Sequence, residues 1–240
     1  MSANVNSVKI RVMRQQDQPS PPGRPPGPGR RYHHGDLRNA LVGAAIALAR
    51  EGGPEALVLR EVARRTGVSA AAAYHHFASH EDLVQAVKAQ SLDLLAERMR
   101  AAIAGPAAVA DQAATAPAPG PAEVARGRVR TLGAAYLRFA AEEPGLYRVT
   151  FGPRGRWPAA GTSGPEPADT GPFRLLAGAL DELAAADPGV AGRRPGLEYV
   201  VWAAVHGIAV FLLEGPLVTA PGARRDHFAG LTLDTVVRGL

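Results

Sequence analysis

The chain has 240 residues, 46% hydrophobic and 20% charged, enough for a sizeable core in one larger domain or two small ones. It contains no cysteine, which excludes disulfide scaffolds, thiolate metal sites and cysteine nucleophiles. Its net charge of +5 is unevenly placed: residues 1–90 hold 12 Lys and Arg against 7 Asp and Glu, and residues 91–240 hold 15 of each. That is the distribution of a polyanion-binding N-terminal part on a neutral body, although a basic tail without a specific partner has the same arithmetic. No uninterrupted apolar run reaches the roughly 18 residues of a membrane span. The longest candidate, residues 197–213, contains Glu198 and His206. The N-terminus lacks the basic, apolar and small-residue succession of a signal peptide. A soluble cytoplasmic protein with no membrane partner is expected.

Residues 19–29, PSPPGRPPGPG, cannot form regular structure, because proline lacks an amide donor and glycine carries high chain entropy. Residues 1–31 are expected to be a disordered basic tail. Helical periodicity begins after Asp36, an expected N-cap, with Leu37, Leu41, Ala44, Ala45 and Leu48, and it stops at Gly52 and Gly53. A second helix fits residues 59–66, with Leu59, Val62 and Ala63 on one face and Arg60, Arg64 and Arg65 on the other. Gly67 ends it, and Ser69 caps a short third helix over residues 70–77. Ser79 opens a long fourth helix to about Ala104 through the S-x-x-D form of the capping box. Residues 105–122 read as a low-complexity loop. Helices follow at about 123–141 and 145–151, then a second Pro/Gly-rich loop at 152–171, then helices at 172–186, 197–214 and about 226–238. No segment alternates at period two for long, so the fold class is all-α, with roughly nine helices.

Residues 59–77, LREVARRTGVSAAAAYHHF, hold two short helices around a Gly67-Val68-Ser69 turn. Small Ala63 allows close approach, and Val68 plugs the turn. This is helix–turn–helix geometry, which presents the second helix to a DNA major groove. An ordinary αα corner shares such a turn. The surroundings are more specific. The order and spacing of YHHGDLR (residues 32–38), LREVARRTGVS (59–69), Tyr74-His75-His76-Phe77 and Glu81-Asp82-Leu83 resemble the DNA-binding domain of TetR-family transcriptional regulators, over about residues 32–95. Further on, EEPGLYRVTF (142–151) and WAAVHG (202–207) resemble the Trp-His-Gly type of TetR C-terminal domain. Two positions depart from the family pattern. Val58 stands where relatives have a Ser or Thr cap, and His80 stands where they often have lysine.

The resemblance implies a three-helix DNA-binding domain at 32–80. A long helix joins it to a helical ligand-binding and dimerisation bundle at 81–240. It also points to a set of DNA-facing positions: Ser69, Ala70, Ala71, Ala72, Tyr74, His75 and His80. Arg60, Arg64 or the arm with Arg30, Arg31 and His33 is expected to supply much of the remaining contact. Ser69 and the amides that follow it suit a phosphate. The three alanines offer bases only methyl contact, so direct readout by this helix is expected to be thin. Arg64 and Arg65 read equally as a solvated helix face, and Phe77 reads as core. Five of the seven histidines fall at 33, 34, 75, 76 and 80, but adjacent pairs diverge and no carboxylate completes a ligand spacing. Neither a metal nor a cofactor is expected.

In the body, Trp202, His206 and Ala209 fall on one helical face. Together with Tyr136, Phe139, Tyr147, Phe151 and Phe173 they are candidate pocket walls for a small apolar effector, or simply core. The resemblance implies that the last two helices pair with their copies in a homodimer. It implies too that an effector tilts the fourth helix and weakens binding to a palindromic double-stranded operator, which is repression relieved by a small molecule. Two other readings stay open: a body that docks a protein partner, and a helical enzyme built on His206, for which no partner residues are evident.

Overall fold

The computed structural model describes residues 34–105, 118–152 and 169–240, with side chains from Leu37 onward. The expectations for the tail and for most of the two Pro/Gly-rich loops lie outside the described residues. Ten α-helices and no strand occur among the described residues: α1 (His34–Gly52), α2 (Leu59–Thr66), α3 (Ala70–His76), α4 (His80–Ala104), α5 (Pro121–Glu142), α6 (Pro144–Phe151), α7 (Gly171–Ala186), α8 (Pro188–Ala191), α9 (Leu197–Leu213) and α10 (Gly222–Gly239). The chain is all-α, as expected, and nine of these helices are the nine read from the sequence.

The differences lie at helix ends. Asp36 sits in the first turn of α1 rather than at its N-cap, because the helix starts at His34. A single 3-10 turn, Gly53–Ala56, follows α1. α5 takes Pro121 into its first turn, where the missing amide costs nothing and the fixed φ suits the helix. The one-turn α8 has no periodicity to betray it; Asp187 caps it by accepting the Gly189 amide at 2.8 Å. α10 begins four residues earlier than expected, with the Pro221 carbonyl accepting from Arg224 and Arg225.

The turn between α2 and α3 follows from its residues. Gly67 has φ 74°, a left-handed conformation that glycine adopts without a Cβ penalty. The Val68 amide donates to the Ala63 carbonyl at 3.0 Å, and the Gly67 amide to the Arg64 carbonyl at 3.2 Å. These two bonds are the Schellman pattern, and Val68 packs partly buried against the core. Ser69 then accepts the Ala72 amide at 3.1 Å. Val58 makes no side-chain cap for α2, as the departure from the family pattern implies. The expected capping box on α4 is complete: Ser79 Oγ accepts the Asp82 amide at 3.1 Å, and Asp82 accepts the Ser79 amide at 2.9 Å.

α4 spans 25 residues, roughly 37 Å. Its first half buries Leu83, Val84 and Val87 against α1, and its second half buries Leu92, Leu95, Ala96 and Met99 against α5, α6 and α7. One hydrophobic cluster runs without a break from Leu41 and Val62 through Phe77 and Leu95 to Leu180, Val205 and Leu233. The helix–turn–helix and the body therefore share a core, and a shift in one bears on packing in the other.

Candidate functional site

The first site is the outer surface of α3. Ala73 and Phe77 point inward and are buried, with the Arg38 guanidinium 5.0 Å over the Phe77 ring. Phe77 is core, as expected. On the other side Ala71, Tyr74 and His75 are exposed, with Ala70 and Ala72 half-buried beside them. Ser69, which caps α3, and His80, which opens α4, are also exposed. The structure thus brings Ser69, Ala70, Ala71, Ala72, Tyr74 and His75 onto one short segment.

The arginines of α2 divide. Arg64 donates to Glu61 at 2.8 and 2.6 Å, and Arg65 donates to Glu51 at 2.7 and 2.5 Å. Arg60 is exposed and has no hydrogen bond or ion pair among the described residues. It is the α2 arginine with its charge uncommitted. Arg30, Arg31 and His33 lie outside the described residues.

The second site is inside the body. His206 on α9 sits between two phenols: Tyr136 Oη lies 2.8 Å and Tyr147 Oη 3.0 Å from its Nδ1. Burial holds the His206 pKa below its ordinary value, pushes Tyr147 up to about 12, and pushes Tyr136 well above its ordinary value. All three groups are therefore neutral near pH 7. A neutral imidazole Nδ1 either accepts one hydroxyl or donates to one phenol oxygen, and the two phenols also interact with each other. Around this polar knot the rings close in: Tyr136 lies 5.1 Å from Trp202, Phe151 lies 5.2 Å from Tyr147, and Phe173 lies 5.5 Å from Trp202.

Six of the seven candidate pocket residues meet here. Phe139 does not. One step around α5 it is fully buried toward α4, with the Arg98 guanidinium 5.4 Å over its ring. The spacing of three residues between Tyr136 and Phe139 left that face undecided. Beside the rings is a narrow space of about 20 Å³, lined by Met99, Leu132, Gly133, Tyr136, Leu176, Val201, Trp202 and Val205. Such a space holds about one water, against the roughly 300 Å³ or more of a typical small-molecule pocket. The aliphatic lining from α4, α7 and α9 had no distinguishing mark in the sequence.

A third feature links the two sites. Glu143 is the hinge between α5 and α6, almost fully buried. Its carboxylate accepts Arg50 of α1 at 2.8 and 3.0 Å and Arg98 of α4 at 2.9 Å. The Arg50 guanidinium holds the Glu143 pKa below the usual carboxylate value, and Arg98 adds to the effect. Two residues on, Gly145 presses against α1: a Cβ there would lie 2.0 Å from the Ala49 carbonyl oxygen. α6 also carries Tyr147 and Phe151. In the sequence this junction is marked only by an acidic pair just before Pro144 and Gly145, which does not say what the carboxylates hold together.

The family models agree with this geometry. Residues 41–87 match the family described as "Bacterial regulatory proteins, tetR family", and residues 129–236 match "Tetracyclin repressor-like, C-terminal domain". No curated protein matches the chain. Among solved structures, a protein of unknown function from Rhodococcus sp. RHA1 is similar at 25% identity and TM-score 0.56, covering 88% of this chain and 98% of that one. The proposed regulatory protein SCO4313 is similar in fold, at 19% identity and TM-score 0.52 over 88% and 98%. The TetR transcriptional regulator SCO0520 from Streptomyces coelicolor is similar at 24% identity and TM-score 0.39 over 85% and 97%. Among the described residues no helix is long and apolar enough to cross a membrane. With the helix–turn–helix and the C-terminal body each matched by a model of one family, the chain belongs to the tetR family of bacterial regulatory proteins, which are DNA-binding transcription regulators and not enzymes.

Proposed function

We propose that the protein is a repressor that binds a palindromic double-stranded DNA operator as a homodimer and is released by a small molecule. The observation that carries this reading is the exposed face of α3, set by the Gly67 turn and flanked by the uncommitted Arg60. Residues 32–80 act as the DNA-binding domain and 81–240 as the sensing and dimerising body. Arg30, Arg31 and His33 in the basic segment, 1–31 and just beyond, add phosphate contacts.

Dimerisation through α9 and α10 is supported by the outward side of α9. Val201, Val205, Ala209 and Leu213 are buried in the body, while Val200 is 64% and Phe211 52% exposed on the other side. Large apolar side chains left in water along one helix suit a second copy. The effector reading rests on the neutral Tyr136–His206–Tyr147 knot in an aromatic wall, which fits a flat apolar molecule carrying one polar group. With a space of about 20 Å³ beside the rings, such a molecule must displace rings to enter, and so prefers a different state from the one described here.

A protein partner for the body is the second reading, favoured by the small size of the space beside the rings. Thermal-shift screening with apolar aromatic compounds separates the two, because a bound effector raises Tm. The main test is selection from random oligonucleotides with the purified protein. Enrichment of a palindrome is the expected result, and enrichment of none overturns the reading. Deleting residues 1–31 should weaken binding and flatten its salt dependence.

A further inference from the structure

We infer that the operator half-site is read through the 5-methyl groups of its pyrimidines, with Ala71 as the central reading residue. The inference rests on the DNA-binding reading above. The site is the helix–turn–helix; the chemistry of α3 decides what it can distinguish.

A base pair shows the major groove hydrogen-bond donors and acceptors and, at thymine, a methyl group. Side chains that distinguish bases by hydrogen bonds include His and Tyr as well as Arg, Lys, Asn, Gln, Asp, Glu, Ser and Thr. In α3, which reads AAAAYHH, they are confined to Tyr74, His75 and His76 in its C-terminal half. The one such residue at its edge, Ser69, precedes the helix and accepts the Ala72 amide at 3.1 Å as its N-cap. The nearest arginines of α2 after Arg60, Arg64 and Arg65, are each held by both oxygens of a carboxylate, on Glu61 and Glu51. Tyr74 and His75 are exposed but lie at the C-terminal end of the helix. Ala71 stands a full turn ahead of them, exposed, with Ala70 and Ala72 half-buried on either side.

The leading half of the helix therefore presents methyl groups and no polar group. Its short side chains let the backbone come close to the groove floor. At that distance the base feature that gains by contact is another methyl, through removal of apolar surface from water. A guanine or adenine edge facing Ala71 would lose water without receiving a hydrogen bond. Thymine is the natural occupant, and 5-methylcytosine presents the same group.

The experiment starts from the selected operator and measures Kd by anisotropy at one fixed salt concentration. Each thymine of the half-site is replaced by uracil, which deletes the methyl and leaves every hydrogen-bonding group in place. Binding should weaken about fourfold at each thymine facing Ala70–Ala72, the value of one buried methyl-sized group. A thymine–adenine pair replaced by 5-methylcytosine–guanine should bind more tightly than the same pair with plain cytosine. In Ala71→Gly the thymine-to-uracil ratio should fall toward one at the facing position. Because each protein is its own reference in that ratio, any loss of helix stability in the variant cancels. An enriched palindrome indifferent to uracil overturns the inference alone. Failure to enrich any site removes the reading beneath it, and the inference falls with it.

Discussion

Replacing Glu143 with Gln tests whether the α5–α6 hinge is what ties α1 and α4 to the body. The substitution keeps size and shape but removes the charge that three guanidinium hydrogen bonds converge on. A hydrogen bond to a charged group is worth about 1.5–3 kcal/mol when well shielded. Two of the three come from Arg50, whose side chain is 48% exposed, so they count for about 1 kcal/mol at most between them. The third comes from the less exposed Arg98, which keeps a second partner in Glu142 at 2.9 Å. The new amide can accept one guanidinium but turns its own N–H groups toward the other. The net loss should be about 2 kcal/mol, or roughly 4–8 °C in Tm for a domain of this size.

The pH dependence gives an independent check. Glu143 is held below the ordinary carboxylate value of 4.5, so it contributes stability that is fully present above that value. The contribution is lost as the pH falls through the folded-state pKa. The gap between wild type and Glu143→Gln should therefore be full at pH 7 and shrink as the pH falls below 4.5. Thermal melts at neutral, mildly acidic and strongly acidic pH measure it. Equal Tm at pH 7, or a gap that stays constant into acid, would refute the account.

Gly145→Ala places a methyl where the Ala49 carbonyl oxygen already lies and should cost at least about 1–3 kcal/mol by overpacking. Gly127→Ala, on an open face of α5, should stabilise by about 0.5–1 kcal/mol; urea denaturation of both compares crowding with helix propensity directly. His206 is held neutral by burial, so its share of stability is complete above about pH 6.5 and declines below it. The slope of Tm between about pH 7.5 and 5.5 should be shallower in His206→Gln than in wild type. Arg60→Ala should weaken operator binding and reduce the salt slope by roughly 0.9 for each phosphate that Arg60 neutralises, while Tm stays within about 1 °C. An unchanged slope in an anisotropy titration would remove Arg60 from the interface.

Much of the DNA-reading end was legible in the sequence, because its structure is set by local chemistry. Gly67 takes a left-handed φ that suits glycine, and Ser69 and Ser79 accept amides three residues ahead. Both depend on residues adjacent in the chain. The same locality made the long helices readable to within a few residues. Helix ends without a strong cap moved, as at α1 and α10, because proline, backbone carbonyls and neighbouring packing decided them. The aromatic lining was half legible. Helical spacing placed Trp202, His206 and Ala209 together, and the rings of α6 and α7 joined them. Phe139 shows the limit: one step around α5 turns a pocket candidate into a partner of Arg98.

By itself, then, the sequence determined the all-α class, the helix–turn–helix and the confinement of excess positive charge to the first 90 residues. Each is written in neighbouring residues or in plain counts. Only the tertiary structure decided which charges are free and which spaces are open. Arg60, Arg64 and Arg65 look alike along the helix, but Glu51 and Glu61 leave just one of the three uncommitted. The space beside the rings holds about one water because side chains from four helices meet there. The carboxylate joining reader to body comes from residue 143 and its arginines from 50 and 98. Such pairings depend on distances across the fold, and no local rule of chain chemistry contains them.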